Sequence, residues 1–310
     1  MYRYVIKRLL LIIPILVGVC FIVFFISSLT PGDPATLILG TSAEQSAIDA
    51  LNHELGYDRP LLVRFARYIY DLIFRLDMGK SYRSQIPVID VILRRAPTSI
   101  IIAFNGMLCA CLIGIPLGVL SAVRQYAAVD TLSTTTAMFF AAVPSFWLGM
   151  ILMYIFSLKL GILPSNGVDS WRHYILPMFA IGLPFAAHQL RFTRSTMLES
   201  VRQDYVRTAR AKGASERVVI WKHALKNALL PVITITGINF GGLLGGAMIT
   251  ETVYSIPGLG MLLVTSIKTK DIPVVMGTTL FLAVFFCLIM LAVDLMYAFV
   301  DPRIKAKYTK

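Results

Sequence analysis

Few of the residues able to run a reaction sit at spacings that would let them do so. Gly79-Lys80-Ser81 matches the end of a phosphate-cradling loop, but Phe74 stands where the leading glycine is required. Cys20, Cys109, Cys111 and Cys287 all lie inside apolar runs, the pattern of small buried hydrophobes rather than of a disulfide or zinc set. His188 stands beside Gln189 with no second ligand nearby in the sequence, and no nucleophile–base pair stands out. Gly242 to Gly245 and Gly258 to Gly260 follow no strand, which excludes a dinucleotide loop. The chain is expected to hold no catalytic site, no metal and no cofactor of its own.

What remains is charge. Residues 191–228 carry nine Lys/Arg against the three acids Glu199, Asp204 and Glu216. Helix formers lead up to Gly213, a natural left-handed stop, and Ser215 is placed to cap a second helix with Glu216 in its positive first turn. Two short helices meeting at a small-residue elbow make a surface suited to being gripped. The alternative is a solvated basic loop that only fixes topology.

The elbow reads Asp204, Tyr205, Val206, Arg207, Thr208, Ala209, Arg210, Ala211, Lys212, Gly213, Ala214, Ser215, and is followed by His223, Leu225, Asn227, Ala228 and Pro231. This resembles the "EAA" loop of ABC-importer membrane subunits, in the form D-Y-x-R-T-A-R-A-K-G then H-x-L-x-N-A-x-x-P found in the peptide/nickel branch. Arg207-Thr208-Ala209 stand where the name expects Glu-Ala-Ala, so only the second alanine and Gly213 match the general pattern. The resemblance implies that residues 204–215 form a coupling helix seated in a cleft of a separate ATPase subunit.

The elements that must hold this loop follow from composition. Of 310 residues 57% are hydrophobic and only 15% charged, and the mean hydropathy is +0.73, which makes a polytopic membrane protein. Apolar runs place six transmembrane helices near residues 9–29, 98–120, 135–158, 174–190, 229–249 and 274–300. The first run is longer than a signal-peptide core and reads as a retained span behind Arg3, Lys7 and Arg8. Counted with both termini inside, the inner segments hold 17 of the 29 Lys/Arg, as the positive-inside rule requires. The net charge of +12 is thereby a matter of membrane orientation, and no nucleic-acid partner is expected.

The chain divides into an inner N-terminus with the first span (1–29), an extracytoplasmic helical region (30–97) and a core permease domain (98–310) containing the loop 191–228. Pro31 to Pro34 should end the first span in a turn. Ser42 to Gln45 reads as a capping-box start, Gly56 as a stop, and Phe65, Tyr68, Ile69 and Leu72 as the stripe of a second helix. A short helix over Val88 to Arg95 should lead into the next span.

The fifth span is glycine-rich, with Gly237, Gly241, Gly242, Gly245 and Gly246 at spacings that permit close helix approach. Helix packing accounts for this; so does a pore-lining helix at the junction of two subunits, with Asn239, Phe240, Gly241 and Gly245 on the path. Beyond it, Glu251 to Gly260 resembles the family signature E-x-x-F-x-x-P-G-L-G, with tyrosine at position 254, and Asp271 opens a D-x-P-V. Pro257 and Gly258 should bend this segment back toward the membrane as a gate. Glu251 either meets a substrate ammonium or metal at the pore mouth or caps the turn. Asp294 is the clearest intramembrane charge, set for a structural ion pair or a proton relay. Around it Val293, Asp294, Tyr297, Asp301, Pro302 and Arg303 again resemble the family's closing pattern.

The resemblance covers the whole chain. It implies an all-α permease of the ABC type I importer kind, half of a translocation pore for peptides (dipeptide, oligopeptide or glutathione), in the plasma or inner membrane of a prokaryote. Implied partners are a paralogous second permease, two cytosolic ABC ATPases that bind ATP and Mg, an extracytoplasmic binding protein, a peptide-like substrate and the lipid bilayer. Permeases for chelated nickel share these motifs. Of other classes, an autonomous secondary carrier would show repeats and paired intramembrane charges, and an intramembrane hydrolase would need Ser, His and Asp on facing spans.

Overall fold

The computed structural model describes residues 2–29, 34–40 and 42–300. The Pro31-Gly32-Asp33 turn and the tail with Asp301, Pro302 and Arg303 lie outside the described residues. Among the described residues the regular structure is helical apart from one isolated bridge, Lys80 to Pro87. The helices are α1 (Tyr2–Ser28), α2 (Pro34–Leu39), α3 (Gln45–Glu54), α4 (Leu61–Phe74), α5 (Val88–Val123), α6 (Ala128–Ala142) and α7 (Ser145–Leu152). They continue as α8 (Ile175–Val201), α9 (Asp204–Ala211), α10 (Glu216–Val218), α11 (Leu225–Val253), α12 (Leu259–Lys268) and α13 (Ile272–Val300). π-helical turns over Met153–Lys159 and Val219–Ala224 extend α7 and join α10 to α11.

Four helical stretches among the described residues are long and apolar enough to cross a membrane, and five if the bent pair α6–α7 counts as one broken span. The third apolar run is not straight: its two halves meet at 101°, where Pro144 cannot donate to the helix ladder and drives Val143 into extended backbone. The short helix over Val88 to Arg95 has no end of its own and is the first part of α5. The fourth helix runs eleven residues past the expected boundary at Leu190, carrying Arg191 and Arg194 with it.

Two compact units make up the chain. The first comprises Met1–Pro97 and Met261–Leu288. Its core is Cys20, Met276 and Leu280, onto which the α4 stripe packs through Phe65, Tyr68, Ile69 and Leu72. Phe65 meets Phe21 edge-on at 5.2 Å, and the Arg64 guanidinium covers the Tyr57 ring at 3.8 Å. Asp271 accepts from Ser81 Oγ at 2.5 Å and from the Tyr82 N–H at 3.0 Å, clasping the loop before α5 to the turn before α13. Burial pushes the Tyr82 hydroxyl up to about 12. Gly56 ends the α3 turn at φ +70° as expected, but the α3 N-cap position falls on Glu44 and no side-chain cap forms.

The second unit comprises Thr98–Gly260 and Ile289–Lys310. Its spine is a seam of α5 against α8 with almost no side chain between the backbones. A Cβ on Gly114 would lie 2.6 Å from the Ala186 carbonyl, and one on Gly118 2.7 Å from Thr193 Cβ. Small residues are therefore needed here for close approach of the two helices.

Candidate functional site

The loop 191–228 folds as one packed body. Val206 and Ala209 on α9 turn inward onto Met197 of α8, Val219 and Ala224 of the π-turn, Leu225 and Ala228 of α11, and Val119 and Ala122 of α5. Ser200, in the last turn of α8, donates its Oγ proton to the Ala224 carbonyl at 2.8 Å and accepts from the Tyr205 hydroxyl at 2.6 Å. One hydroxyl thus ties together the three helical pieces that meet at the elbow.

The elbow itself is a Schellman motif. The Gly213 N–H donates to the Arg210 carbonyl (2.9 Å) and the Ala214 N–H to the Ala209 carbonyl (3.2 Å), with Gly213 at φ +79°. Open space surrounds the Gly213 Cα, so glycine is required by the backbone conformation and not by crowding. Ser215 occupies the N-cap position of α10 but makes no side-chain cap; the second helix is anchored instead by Arg210, which donates Nε (2.7 Å) and Nη2 (3.2 Å) to the Glu216 carboxylate.

Of the residues expected on the docking face, Asp204, Tyr205, Arg207, Thr208, Arg210, Ala211, Lys212, Gly213 and Ser215 are exposed and Ala214 is half-buried. Ala209 is 8% exposed and part of the loop's own core. Val218 and Trp221 were not singled out, yet they stand 41% and 46% exposed on the same body. Their signal was an apolar pair inside a basic run, flanked by Arg217 and Lys222.

The residues expected to form a gate make a second, separate cluster. Glu251 is fully buried near the end of α11, accepting from Ser99 Oγ, which in turn accepts from the Leu259 N–H at 2.7 Å. A Cβ on Gly258 would strike the Glu251 carboxylate, and one on Gly260 the Met248 backbone. Tyr254 is buried beside them and donates its hydroxyl to the Gly149 carbonyl at 2.9 Å. The Pro-Gly-Leu-Gly turn is thus a tight knot of α12's start on α11's end, and Glu251 is placed as its cap.

Asn239 and Phe240 stand about 18 Å up the same helix from Glu251. Phe240 lines an apolar groove of about 530 Å³ with Phe104, Ile115, Thr236 and Val293. The Asn239 Nδ2 is enclosed without a hydrogen-bond acceptor among the described residues. Gly241 is half-buried, whereas Gly245 faces open space. With Ile238, Gly242 and Ile249, also exposed, Gly245 makes a continuous small-and-apolar stripe along α11. Asp294 is half-buried on α13, next to Val293, which closes on Gly237. His188 is exposed, while Gln189 is buried and donates to Thr236 Oγ1 at 3.1 Å.

Known proteins show the family of this chain. The family model described as "Binding-protein-dependent transport system inner membrane component" matches residues 114–306, and its N-terminal companion matches residues 1–103. The chain belongs to this family. It is a membrane permease of the ABC-importer kind. The permease is 44% identical to the glutathione transport system permease protein GsiC of Salmonella paratyphi A over 99% of this chain and 100% of that one. To the protein of the same name from Escherichia coli K12 it is 43% identical over the same shares. Among solved structures, the inward-facing MetNI methionine ABC transporter superposes with a TM-score of 0.56 at 23% identity, covering 68% of the permease and 96% of that chain. An amino acid ABC transporter crystallised with histidines gives 0.50 at 12% identity, covering 69% and 94%. These two likenesses establish the fold alone.

Proposed function

We propose that this permease is one half of the translocation pore of an ATP-driven importer for glutathione or a closely related short peptide. In this reading it crosses the membrane six times with both termini inside, α8 serving as a span despite its charged end. Residues 30–97 form an extracytoplasmic helical region against which a binding protein delivers substrate. A paralogous second permease completes the pore along the open stripe of α11, near Asn239, Phe240 and Gly245. Two cytosolic ATPases hold the ATP and Mg and grip the elbow 204–215. Their closure moves the elbow, and the elbow moves the spans.

The observation that carries this reading is that the loop 191–228 is a single packed body continuous with α8 and α11 and seated on the end of α5. Such a body transmits displacement, where a solvated loop would absorb it. The peptide substrate rests on the near-full-length likeness to permeases named for glutathione transport. Glu251 serves as a structural cap of the gate, not as a substrate ligand.

The test is uptake into proteoliposomes holding the permease, its paralogue, the ATPases and the binding protein. Radiolabelled glutathione should accumulate with ATP inside and binding protein outside. Uptake of glutathione by the permease alone, driven by an ion gradient, would replace this reading with that of a secondary carrier.

A further inference from the structure

Outside the elbow and the gate, a second polar cluster centres on a buried carboxylate. Asp130, in the first turn of α6, is 4% exposed. It accepts from Arg194 of α8 in a bidentate fork, Nε to Oδ1 at 2.7 Å and Nη2 to Oδ2 at 2.8 Å. It also accepts from Ser121 Oγ of α5 and from the Tyr126 N–H at 2.9 Å. Arg194 Nε lies 3.1 Å from Ser121 Oγ, so three helices meet on one carboxylate. Buried ion pairs of this kind are weak evidence for stability, since apolar residues often replace them without loss; what a bidentate fork supplies is a fixed orientation.

The packing around the cluster says what needs orienting. α8 and α5 are already locked through the Gly114 and Gly118 seam, backbone on backbone. α6 also packs closely along α8, but it brings no glycine to the contact. It meets them through Ala137 and Phe140 on Ala187, Leu190 and Leu117. A groove of about 270 Å³ stays open beside this contact, bordered by Leu132, Thr136 and Leu183. An apolar contact carries no directional bond to fix its register, whereas a bidentate guanidinium–carboxylate pair has one register. Arg194 also sits two turns before Ser200, on the helix that ends in the elbow.

We propose that Arg194 is a positioning residue for transport: its hold on Asp130 makes the bent α6–α7 span move with α8 when the partner ATPases displace the elbow. This rests on the importer reading given above. Without the clamp the elbow still moves and ATP is still hydrolysed, but α6 lags and the pore does not switch.

The experiment measures substrate imported per ATP hydrolysed in proteoliposomes of the complete importer. Glutathione is one probe, and a pool of synthetic di- and tripeptides read by mass spectrometry is the other. D130N keeps the shape and removes the charge; R194K keeps the charge and removes the fork. With D130N the ratio should fall about tenfold, the size of a typical coupling energy, while hydrolysis stimulated by the loaded binding protein persists. With R194K it should fall partway. If D130N does not assemble, R194K decides alone. Uptake and hydrolysis falling in proportion, or a ratio equal to wild type in an assembled variant, overturns the clamp and leaves the importer reading intact. A wild-type complex that imports neither probe overturns the importer reading and the clamp with it.

Discussion

The Glu251 carboxylate lies against the Cα of Gly258, so closely that any side chain at position 258 would occupy the same space. Six residues separate the two, and the turn between them folds back so that Ser99 Oγ bridges the carboxylate to the Leu259 N–H. The Glu251 carboxylate is thereby engaged in holding the turn.

Glu251→Ala is expected to destabilise the permease by about 2–4 kcal/mol, through the lost acceptor and the cavity left behind. Gly258→Ala should act the same way, because the buried, hydrogen-bonded carboxylate has nowhere to swing. Thermal melting of the detergent-purified chain by size exclusion measures both. A normal melting temperature with an altered substrate preference would move Glu251 from cap to pathway.

Gly245 and Gly237 sit eight residues apart on α11 and should respond in opposite ways. A side chain on Gly237 runs into Val293, whereas Gly245 has open space. Gly237→Leu should lower the amount of folded chain. Gly245→Leu should leave it unchanged but prevent co-purification of the second permease. Normal co-purification with Gly245→Leu would remove the α11 stripe from the subunit junction.

Single cysteines report the orientation. In a background lacking Cys20, Cys109, Cys111 and Cys287, Ser165→Cys and Ser255→Cys should react with an impermeant thiol reagent added outside. Ser215→Cys should react only from inside. Outside labelling at position 215 would reverse the topology.

Ala209→Asp should fail for a reason internal to the chain. A carboxylate at this position is enclosed by Met197, Val206, Val219 and Ala224 with no cation facing it in that cluster, which costs about 2–5 kcal/mol. The level of folded chain in the membrane should drop, in contrast to variants of the exposed residues. Normal levels with transport lost would return Ala209 to the docking face.

Much of this was legible in the sequence wherever a local rule applied. Apolar runs of about 20 residues mark spans because the bilayer sets their length, and Gly213 marks the elbow because a left-handed residue favours glycine. Pro144 was visible too, but a proline inside an apolar run does not say whether the helix kinks slightly or breaks by 101°. The clamp was hidden for a different reason. Asp130 and Arg194 stand 64 residues apart, each in a segment that reads as an ordinary charged flank, and only packing of α6 on α8 brings them together. Likewise the inward face of Ala209 depends on α5 and α11, neither of which the elbow's own pattern mentions.

The most direct test of the account is ATP hydrolysis by the reconstituted importer carrying Gly213→Val. Gly213 has φ +79° and a Cβ there meets no neighbour, so valine acts through resistance to that backbone conformation, at about 1–3 kcal/mol. The chain should insert, fold and assemble at wild-type levels, while stimulation of hydrolysis by the loaded binding protein disappears. Full stimulation and wild-type uptake with Gly213→Val in place would contradict the assignment of residues 204–215 as the element through which ATP drives the pore.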